Sequence, residues 1–562
     1  MASSSKLWMI SKNLRLGKVL YTVLKAYGYF AVCNVGFKFF FALYCYVRSR
    51  RAWKNVPGEP ISFTKLPRNA ARMHDFYTDM LLKHPKAPLI KTCFPKPELV
   101  CNTPESIKWM LKDEFDVVTK PSGSEDFLLQ LLAEFIGENG IFVTRHGSEV
   151  PQEEQNQWYK QRKLASLIFT KKNFNSLMYD TFVQKAKILC DVLDQAAEKE
   201  EKIDMQEKFF SFTMDSIEKI FFGEEVNSVA GQMSEYGCAF DDAHRSMFLL
   251  LVKVMVKLVL FSRILLPYPF GKLSNNSNPY TLSVNTARVL SKYNTDFVDA
   301  IKRLDNHVYD LIKRTRQDPN LAKRKDLMAL FTNTKINNEG GLDDKTLRDV
   351  ILNLTIAGRD TTACTLTWMF YILSTHPEVQ EKLCEEIDRC LEGRTPTPED
   401  ITPEKMPYLN GVLYETLRLY PPVPQDIKKA KKDIFYLDGT LVPEGTRLTF
   451  HPYSLGRNPE LYSDPLKVDP NRWIPFKQPS LYEFPVFQAG PRFCLGKDMA
   501  QFESKLLASI LLQRFTFSLL EGEAENITYS LMVTMSLCNK KDGPIEDRSH
   551  YLWLKPKRRI FT

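Results

Sequence analysis

With 562 residues, 44% of them hydrophobic and 25% charged, the chain has the composition of a globular protein and excludes a disordered or collagen-like one. The net charge of +9 is modest for this length; it suits an anionic membrane surface or an acidic partner and gives no ground for nucleic acid. Eleven cysteines, an odd number without paired spacing or a C-x-x-C, exclude a disulfide framework and a zinc ribbon and fit a reducing compartment. Residues Ala26 to Val47 are mostly apolar and aromatic, broken by Asn34 and Lys38. Their length suits a bilayer span, which takes about 20 residues. A central Lys costs about 2.5–3.5 kcal/mol on insertion scales, and snorkelling lowers that cost. Lys6, Lys12, Arg15, Lys18 and Lys25 precede the run and Arg48, Arg50, Arg51 and Lys54 follow it, so charge does not set an orientation. A spanning helix and an amphipathic helix lying on the membrane both fit, and either makes residues 1–56 an anchor with basic flanks. The run starts late and lacks a small-residue cleavage site, which argues against a removed signal peptide. Val56-Pro-Gly-Glu-Pro60 is a stiff hinge, and residues 57–562 read as one large body, mainly α with a small β-sheet.

Within that body, Ala87 to Cys93 and Glu98 to Cys101 read as strands. Thr103-Pro-Glu opens a helix, with Thr at the N-cap and Pro at the first position. Gly137 to Phe142 is a turn into a short apolar run. Beyond it, Trp158 and Arg162 are spaced i, i+4 and share a helix face; in isolation this also describes a surface helix with a half-buried Trp. Ser211 to Gly223 and Cys238 to Leu266 are helical by periodicity. Met247 to Leu266 is nearly all apolar, but Lys253, Lys257, Arg263 and the terminating Pro267 and Pro269 weigh against a second span. It reads as a helix and loop that line an apolar substrate entrance and touch the bilayer. Asn275 to Pro279 is a loop, and Lys302 to Asp326 a charged surface helix.

Gly341-Leu-Asp-Asp opens a long buried helix with Asp343 as N-cap, running to about Ser374. It carries Gly358, Asp360, Thr361 and Thr362 in its middle, poor helix residues inside a strong element. A glycine lets a ligand approach the backbone, and a Thr hydroxyl beside a carboxylate can hold water and pass protons. A Thr hydroxyl bonded to a backbone carbonyl explains the same residues and can coexist with that role. Met406 to Leu419 is a helix stopped by Pro421 and Pro422; Glu415 and Arg418, spaced i, i+3 among leucines, form a buried ion pair. Asp438-Gly439 is a hairpin turn. Then comes Phe487-Gln-Ala-Gly490-Pro-Arg492-Phe-Cys494-Leu-Gly496, a cysteine between two glycines with an arginine two residues ahead. A thiolate with this much backbone freedom suggests metal ligation, and Arg492 can neutralise a carboxylate of the ligand. An apolar helix from Ala500 to Leu520, β-like Thr528 to Leu537 and a basic tail close the chain. Of the N-x-S/T sites at Asn275, Asn353 and Asn526, Asn353 falls on the buried helix, which makes glycosylation there implausible and fits a cytosol-facing body.

The motif Phe487-x-x-Gly490-x-Arg492-x-Cys494-x-Gly496 resembles the haem-binding signature of the cytochrome P-450 superfamily, and three further motifs fall in that family's order. Ala357-Gly358-x-Asp360-Thr361-Thr362 looks like its oxygen-activation motif, Glu415-x-x-Arg418 like its charge pair, and Trp158-x-x-x-Arg162 like its propionate helix. The resemblance implies a P-450 fold and haem b with Cys494 as axial thiolate, in a site that also takes Arg492, Phe487, Gly490, Gly496, Trp158, Arg162, Ala357 and Gly358. It implies Asp360 and Thr361 as the proton donors and a basic residue for a propionate at Lys428. It also implies a structural triad of Glu415, Arg418 and Arg472, although Asn471 and Trp473 depart from the commonest form of the third segment. Val423 and Pro424 are candidate substrate contacts. Alanine at 357, where one branch of fatty-acid hydroxylases carries Glu, implies no covalent haem linkage. Lys160, Lys163 and Lys497 are candidates for docking an NADPH-dependent reductase. The sequence context looks most like plant and fungal fatty-acid ω-hydroxylases on the cytosolic face of the endoplasmic reticulum membrane. Hydroxylation of a sterol or terpenoid is the nearest alternative. A haem-thiolate isomerase or dehydratase, or a non-catalytic haem sensor, is disfavoured by the complete acid–alcohol pair.

Overall fold

The structure is a computed structural model. It describes residues 48–49, 51–59, 69–93, 97–121, 127–148, 150–166, 169, 177–247, 249–250, 279–324, 326–333, 342–530, 533–540 and 550–559. The proposed anchor at 26–47 and most of the apolar 247–266 segment lie outside these residues. Among the described residues, no helix is long and apolar enough to cross a membrane.

The body is organised around the helix Asp344–Thr375. Asp343 caps it, accepting the Thr346 backbone N–H at 2.9 Å, and its apolar residues belong to the main core. It packs along Met205–Ile217 on one side and against Pro279–Gln317 and Lys497–Arg514 on others. Asn353, fully buried, donates to the carbonyls of Ile136 and Asp349, so its amide is structural and sealed from modification.

A five-stranded sheet lies to one side, ordered Leu89–Cys93, Pro97–Cys101, Arg447–Phe450, Asp426–Ala430, Val118–Thr119. Its pairings are antiparallel except the parallel Pro97–Cys101 and Arg447–Phe450. The register Thr119↔Lys429 matters most for the site, because it sets Lys120 beside Lys428. The Asp438-Gly439 hairpin forms as expected, Gly439 turning at φ +84°.

Four sequence expectations need correction. The charged helix ends at Gln317, not near Asp326, and gives way to a turn and a short 3-10 segment at Leu321–Lys323. The last long helix ends at Arg514; Phe515–Leu519 is a strand, with Phe515 and Phe517 buried and Ser518 exposed. The basic tail contains a strand, Trp553–Arg558, that pairs with both Phe515–Leu519 and Ile203–Asp204. The predicted β segment 528–537 is two short paired strands, Ile527–Tyr529 and Leu537–Asn539.

The helix Met73–Leu81 seals onto the body through two buried histidines. His74 lies between the rings of Tyr453 and Tyr529, with centroids at 5.7 and 5.0 Å, and His451 stacks near Tyr77 at 4.8 Å. Burial holds His74 down to about 4 and His451 to about 3, from an ordinary value of 6.5. Both are neutral at pH 7 when folded, and the unfolded chain binds protons that the folded chain refuses once the pH drops below 6.5. Stability is therefore fully present above that value and falls as the pH drops toward 4, by about 1.4 kcal/mol per pH unit for each histidine. Thermal melts at pH 7 and pH 5 should show the loss, and the double variant His74→Gln, His451→Gln should flatten it; an unchanged pH dependence in that variant would contradict the assignment.

Candidate active site

The cysteine loop is built by two consecutive tight turns. A 3-10 turn at Pro485–Phe487 leads to Gln488 at φ 63°, and a second covers Gly490–Arg492. Gly490 sits at φ +65°, where a Cβ would stand 2.1 Å from the Leu111 carbonyl oxygen. The Cys494 N–H donates to the Phe487 carbonyl at 2.8 Å, closing the loop just before the helix Lys497–Arg514 begins. Burial pushes the Cys494 thiol up; the backbone N–H groups of Gly496 and Lys497 and the positive charge of Arg162 pull the other way. A sulfur ringed by donors and a cation is suited to carry negative charge as a ligand.

The helix Gln152–Ser166 clasps this loop by alternate stacking. The Arg492 guanidinium lies 4.5 Å from the Trp158 ring centroid, and the Arg162 guanidinium 4.8 Å from that of Phe493. The predicted pair at i, i+4 thus does face one way, and each member grips a residue of the cysteine loop. Arg492 also donates from Nε to His146 Nδ1 at 2.9 Å and from NH2 to the Thr144 carbonyl at 2.8 Å.

Around Arg492 the charges do not balance. Lys120, Lys428, Arg492 and Arg162 are drawn together with two carboxylates, Asp426, which accepts from Lys428 and Gln488, and Glu154, which is already paired with Arg145. Burial holds Lys120 down to about 7, with Lys428 and Arg492 adding to the effect against Asp426. Burial likewise holds Arg492 down to about 9, opposed by Asp426 and reinforced by Arg162. Asp426 moves the other way: against burial, Lys428 and Lys120 bring it down to about 2. His146, also buried and beside Arg492 and Lys428, is held down to about 2. Enclosed cations that discourage one another's charge are what a ligand with carboxylates would relieve. Lys120 and His146 were not legible as site residues: the strand register brings the first, and a turn after a long apolar segment brings the second.

The central helix contributes one open stripe. From Thr346 to Phe370 its residues are buried except Leu354, Ala357, Gly358 and Thr361, spaced i, i+3, i+4, i+7, which are partly exposed along a single face. Thr361 Oγ1 donates to the Ala357 carbonyl at 2.7 Å, the local backbone bond weighed above. Asp360 turns away from that stripe and is fully buried. Its Oδ1 accepts from Arg359 NH1 at 2.9 Å, and its Oδ2 lies 3.0 Å from His244 Nδ1. Arg359 also pairs with Asp241 Oδ1 at 2.5 Å. These partners outweigh burial and hold the Asp360 carboxyl below its ordinary range. The acid and the alcohol therefore occupy different faces, as neighbours 100° apart on a helix must.

The charge triad is complete. Glu415 and Arg418, both fully buried, pair at 2.7 and 2.9 Å, and Arg472 Nε donates to Glu415 Oε1 at 3.1 Å. Glu415 further accepts the Asp469 N–H at 2.8 Å and the Trp473 indole N–H at 3.0 Å. Trp473, one of the two departures noted in the sequence, thus supplies Glu415 with an extra donor. Arg418 spends its remaining donors on the carbonyls of Gly456, Pro465 and Lys467. Val423 is partly exposed; Pro424 is buried, its carbonyl accepting the Tyr453 N–H.

Comparison with known proteins decides the family. The family model described as Cytochrome P450 matches residues 107–544. Cytochrome P450 704C1 of Pinus taeda is 32% identical over 84% of this chain and 88% of its own length. Cytochrome P450 704B1 of Arabidopsis thaliana is 30% identical over 86% and 92%, and cytochrome P450 86B1 of the same plant 29% over 75% and 72%. The chain belongs to the cytochrome P450 family.

It is accordingly a P450 monooxygenase, an oxidoreductase of the family whose cofactor is a haem-thiolate iron. The chain's own features fit that group: a sulfur under N–H donors, an enclosure rich in cations for two propionates, and a helix face kept open at Gly358. A Cβ on Gly358 would stand 2.3 Å from the end of the Ile217 side chain, so the small residue here also admits the neighbouring helix. Lys160 and Lys163 lie on the helix that clasps the cysteine loop, and Lys497 opens the helix that follows the loop.

Proposed function

We propose that this P450 binds haem b through Cys494 and hydroxylates a long-chain fatty acid at its ω end, taking electrons from an NADPH-dependent reductase. The observation that carries the cofactor reading is the cationic enclosure of Lys120, Lys428, Arg492 and Arg162, joined to the cysteine loop by the Trp158 and Arg162 stacks. Haem, when bound, supplies the redox-active iron for dioxygen activation, and a thiolate ligand favours O–O cleavage. With iron bound, the N–H groups of Gly496 and Lys497 would stabilise negative charge on the Cys494 sulfur, while Phe487 and Gly490 set the loop that presents it. Arg492, Arg162, Lys428 and Lys120 neutralise the propionates, and Trp158 fixes the plane of Arg492. Leu354, Ala357, Gly358 and Thr361 line the reacting side, with Val423 and Pro424 as substrate contacts. Thr361 swings its hydroxyl from the Ala357 carbonyl toward the cleft and passes protons that reach it through the Asp360 carboxylate. Ala357 has no carboxylate to esterify the haem.

The substrate follows from the resemblance to ω-hydroxylases and from the apolar Met247 to Leu266 segment, which we assign to the substrate entrance. Residues 1–56 serve as the membrane anchor and 57–562 as the catalytic body, facing the cytosol at the endoplasmic reticulum. Lys160, Lys163 and Lys497 form the reductase-facing patch. Turnover of long-chain fatty acids by the full chain with reductase and NADPH should give the terminal alcohol; turnover of a sterol or terpenoid instead would overturn the substrate reading. Thr361→Ala should consume NADPH at a comparable rate while product per NADPH drops about tenfold or more. Unchanged coupling would remove Thr361 from the proton path.

A further inference from the structure

Asp360 is fully buried, so each proton it releases has to be replaced through a side chain that touches it. Among the described residues two do: Arg359 and His244. Arg359 is locked between Asp360 and Asp241, and a guanidinium does not give up its proton at physiological pH. An imidazole does exchange its proton there. His244 sits on the helical segment 235–247, 4% exposed, with its ring near those of Phe135 and Phe240. Its Nδ1 lies 3.0 Å from Asp360 Oδ2, within ion-pair reach but without hydrogen-bond geometry, and among the described residues its buried Nε2 has no hydrogen-bond partner. The charged groups around it are Asp360 and Arg359 of the central helix and Asp241 on its own helix. One nitrogen thus lies beside the acid and the other is unpartnered among the described residues.

We propose that His244 is the residue that positions Asp360 and resupplies it with protons during turnover. In this step the Nδ1–H bond breaks as an O–H bond forms at Asp360 Oδ2, and Nε2 takes a replacement proton from water. Rotation about Cβ–Cγ then turns Nδ1 toward water, where it takes up a proton as Nε2 releases one, and the ring turns back with the starting tautomer restored. No electrons move; the pair gains one proton from water in this step and returns to its starting charge when Asp360 passes that proton on. The inference rests on the reading of Asp360 as a proton relay, and it adds a residue that no family motif marks.

Three variants of the full chain, assayed with reductase and NADPH, separate the two claims. His244→Asn keeps a donor at the Nδ1 position and has no second nitrogen to reload; His244→Phe removes the pair; Asp360→Asn removes the relaying carboxylate. The resupply role predicts that His244→Asn retains the wild-type melting temperature and KM, while kcat and product per NADPH fall about tenfold and the solvent deuterium isotope effect on kcat rises. His244→Phe should show the same kinetic losses and also melt lower. Wild-type kcat, coupling and isotope effect in His244→Asn, alongside an impaired Asp360→Asn, would overturn the role of His244 and leave the Asp360 reading standing. Full coupling in Asp360→Asn would overturn both.

Discussion

Arg418→Ala is expected to cost about 3–5 kcal/mol, enough to leave little folded enzyme. The reason lies in what remains behind. Glu415 is fully buried, and its charge is sustained by Arg418, Arg472, the Trp473 indole and the Asp469 N–H. Removing Arg418 strips the strongest two donors from that carboxylate. It also orphans the carbonyls of Gly456 and Pro465 and leaves that of Lys467 with only its longer bond from Arg472; arginine ties all three to the helix Pro407–Leu419. Those carbonyls belong to the meander that runs on toward the cysteine loop, so haem retention should fail together with stability. Arg418→Lys should rescue little, because a single ammonium cannot reproduce the forked pairing and the carbonyl bonds at once. Chemical denaturation and soluble yield measure the effect; an Arg418→Lys variant as stable as wild type would show that charge alone suffices.

Gly490→Ala is expected to cost about 2–4 kcal/mol and to empty the protein of haem, despite adding a single methyl group. Gly490 adopts φ +65°, which alanine tolerates poorly, and the new Cβ would stand 2.1 Å from the Leu111 carbonyl oxygen. The obstacle is backbone, so no side chain can rotate out of the way. The loop has to shift, and Arg492, two residues on, would lose its fit between Trp158, His146 and the Thr144 carbonyl. Haem content per chain, read from the absorbance of purified protein, checks this directly; a fully loaded Gly490→Ala variant would contradict the geometry given for the loop.

The parts of the site read correctly from sequence are those whose chemistry is local. Asp343 caps the central helix, and Glu415 and Arg418 meet because residues three apart share a helix face. The cysteine loop carries its own punctuation in Gly490 and Gly496. What escaped is assembled by pairing between distant segments. Lys120 enters the site because Val118–Thr119 adds to the edge of Asp426–Ala430, and nothing near Lys120 announces that register. His244 meets Asp360 only because the segment 235–247 packs across the central helix. The terminal strands left a signal that the apolar content of the preceding helix masked. Phe515-Thr-Phe-Ser-Leu519 alternates buried and outward residues with period two, and so does Leu554-Lys-Pro-Lys557. Pro556 is tolerated there because Ile203–Asp204 pairs with the strand only at Trp553 and Leu554, leaving the proline clear of that ladder.

The central claim is that Cys494 delivers a thiolate to haem iron. The reduced carbonyl complex of the full-length protein tests it most directly. The wild-type protein should show the red-shifted Soret band of a thiolate ligand, and Cys494→Ser should lose that band; an ordinary haem band in the wild type, or a retained red shift in the variant, would contradict the assignment.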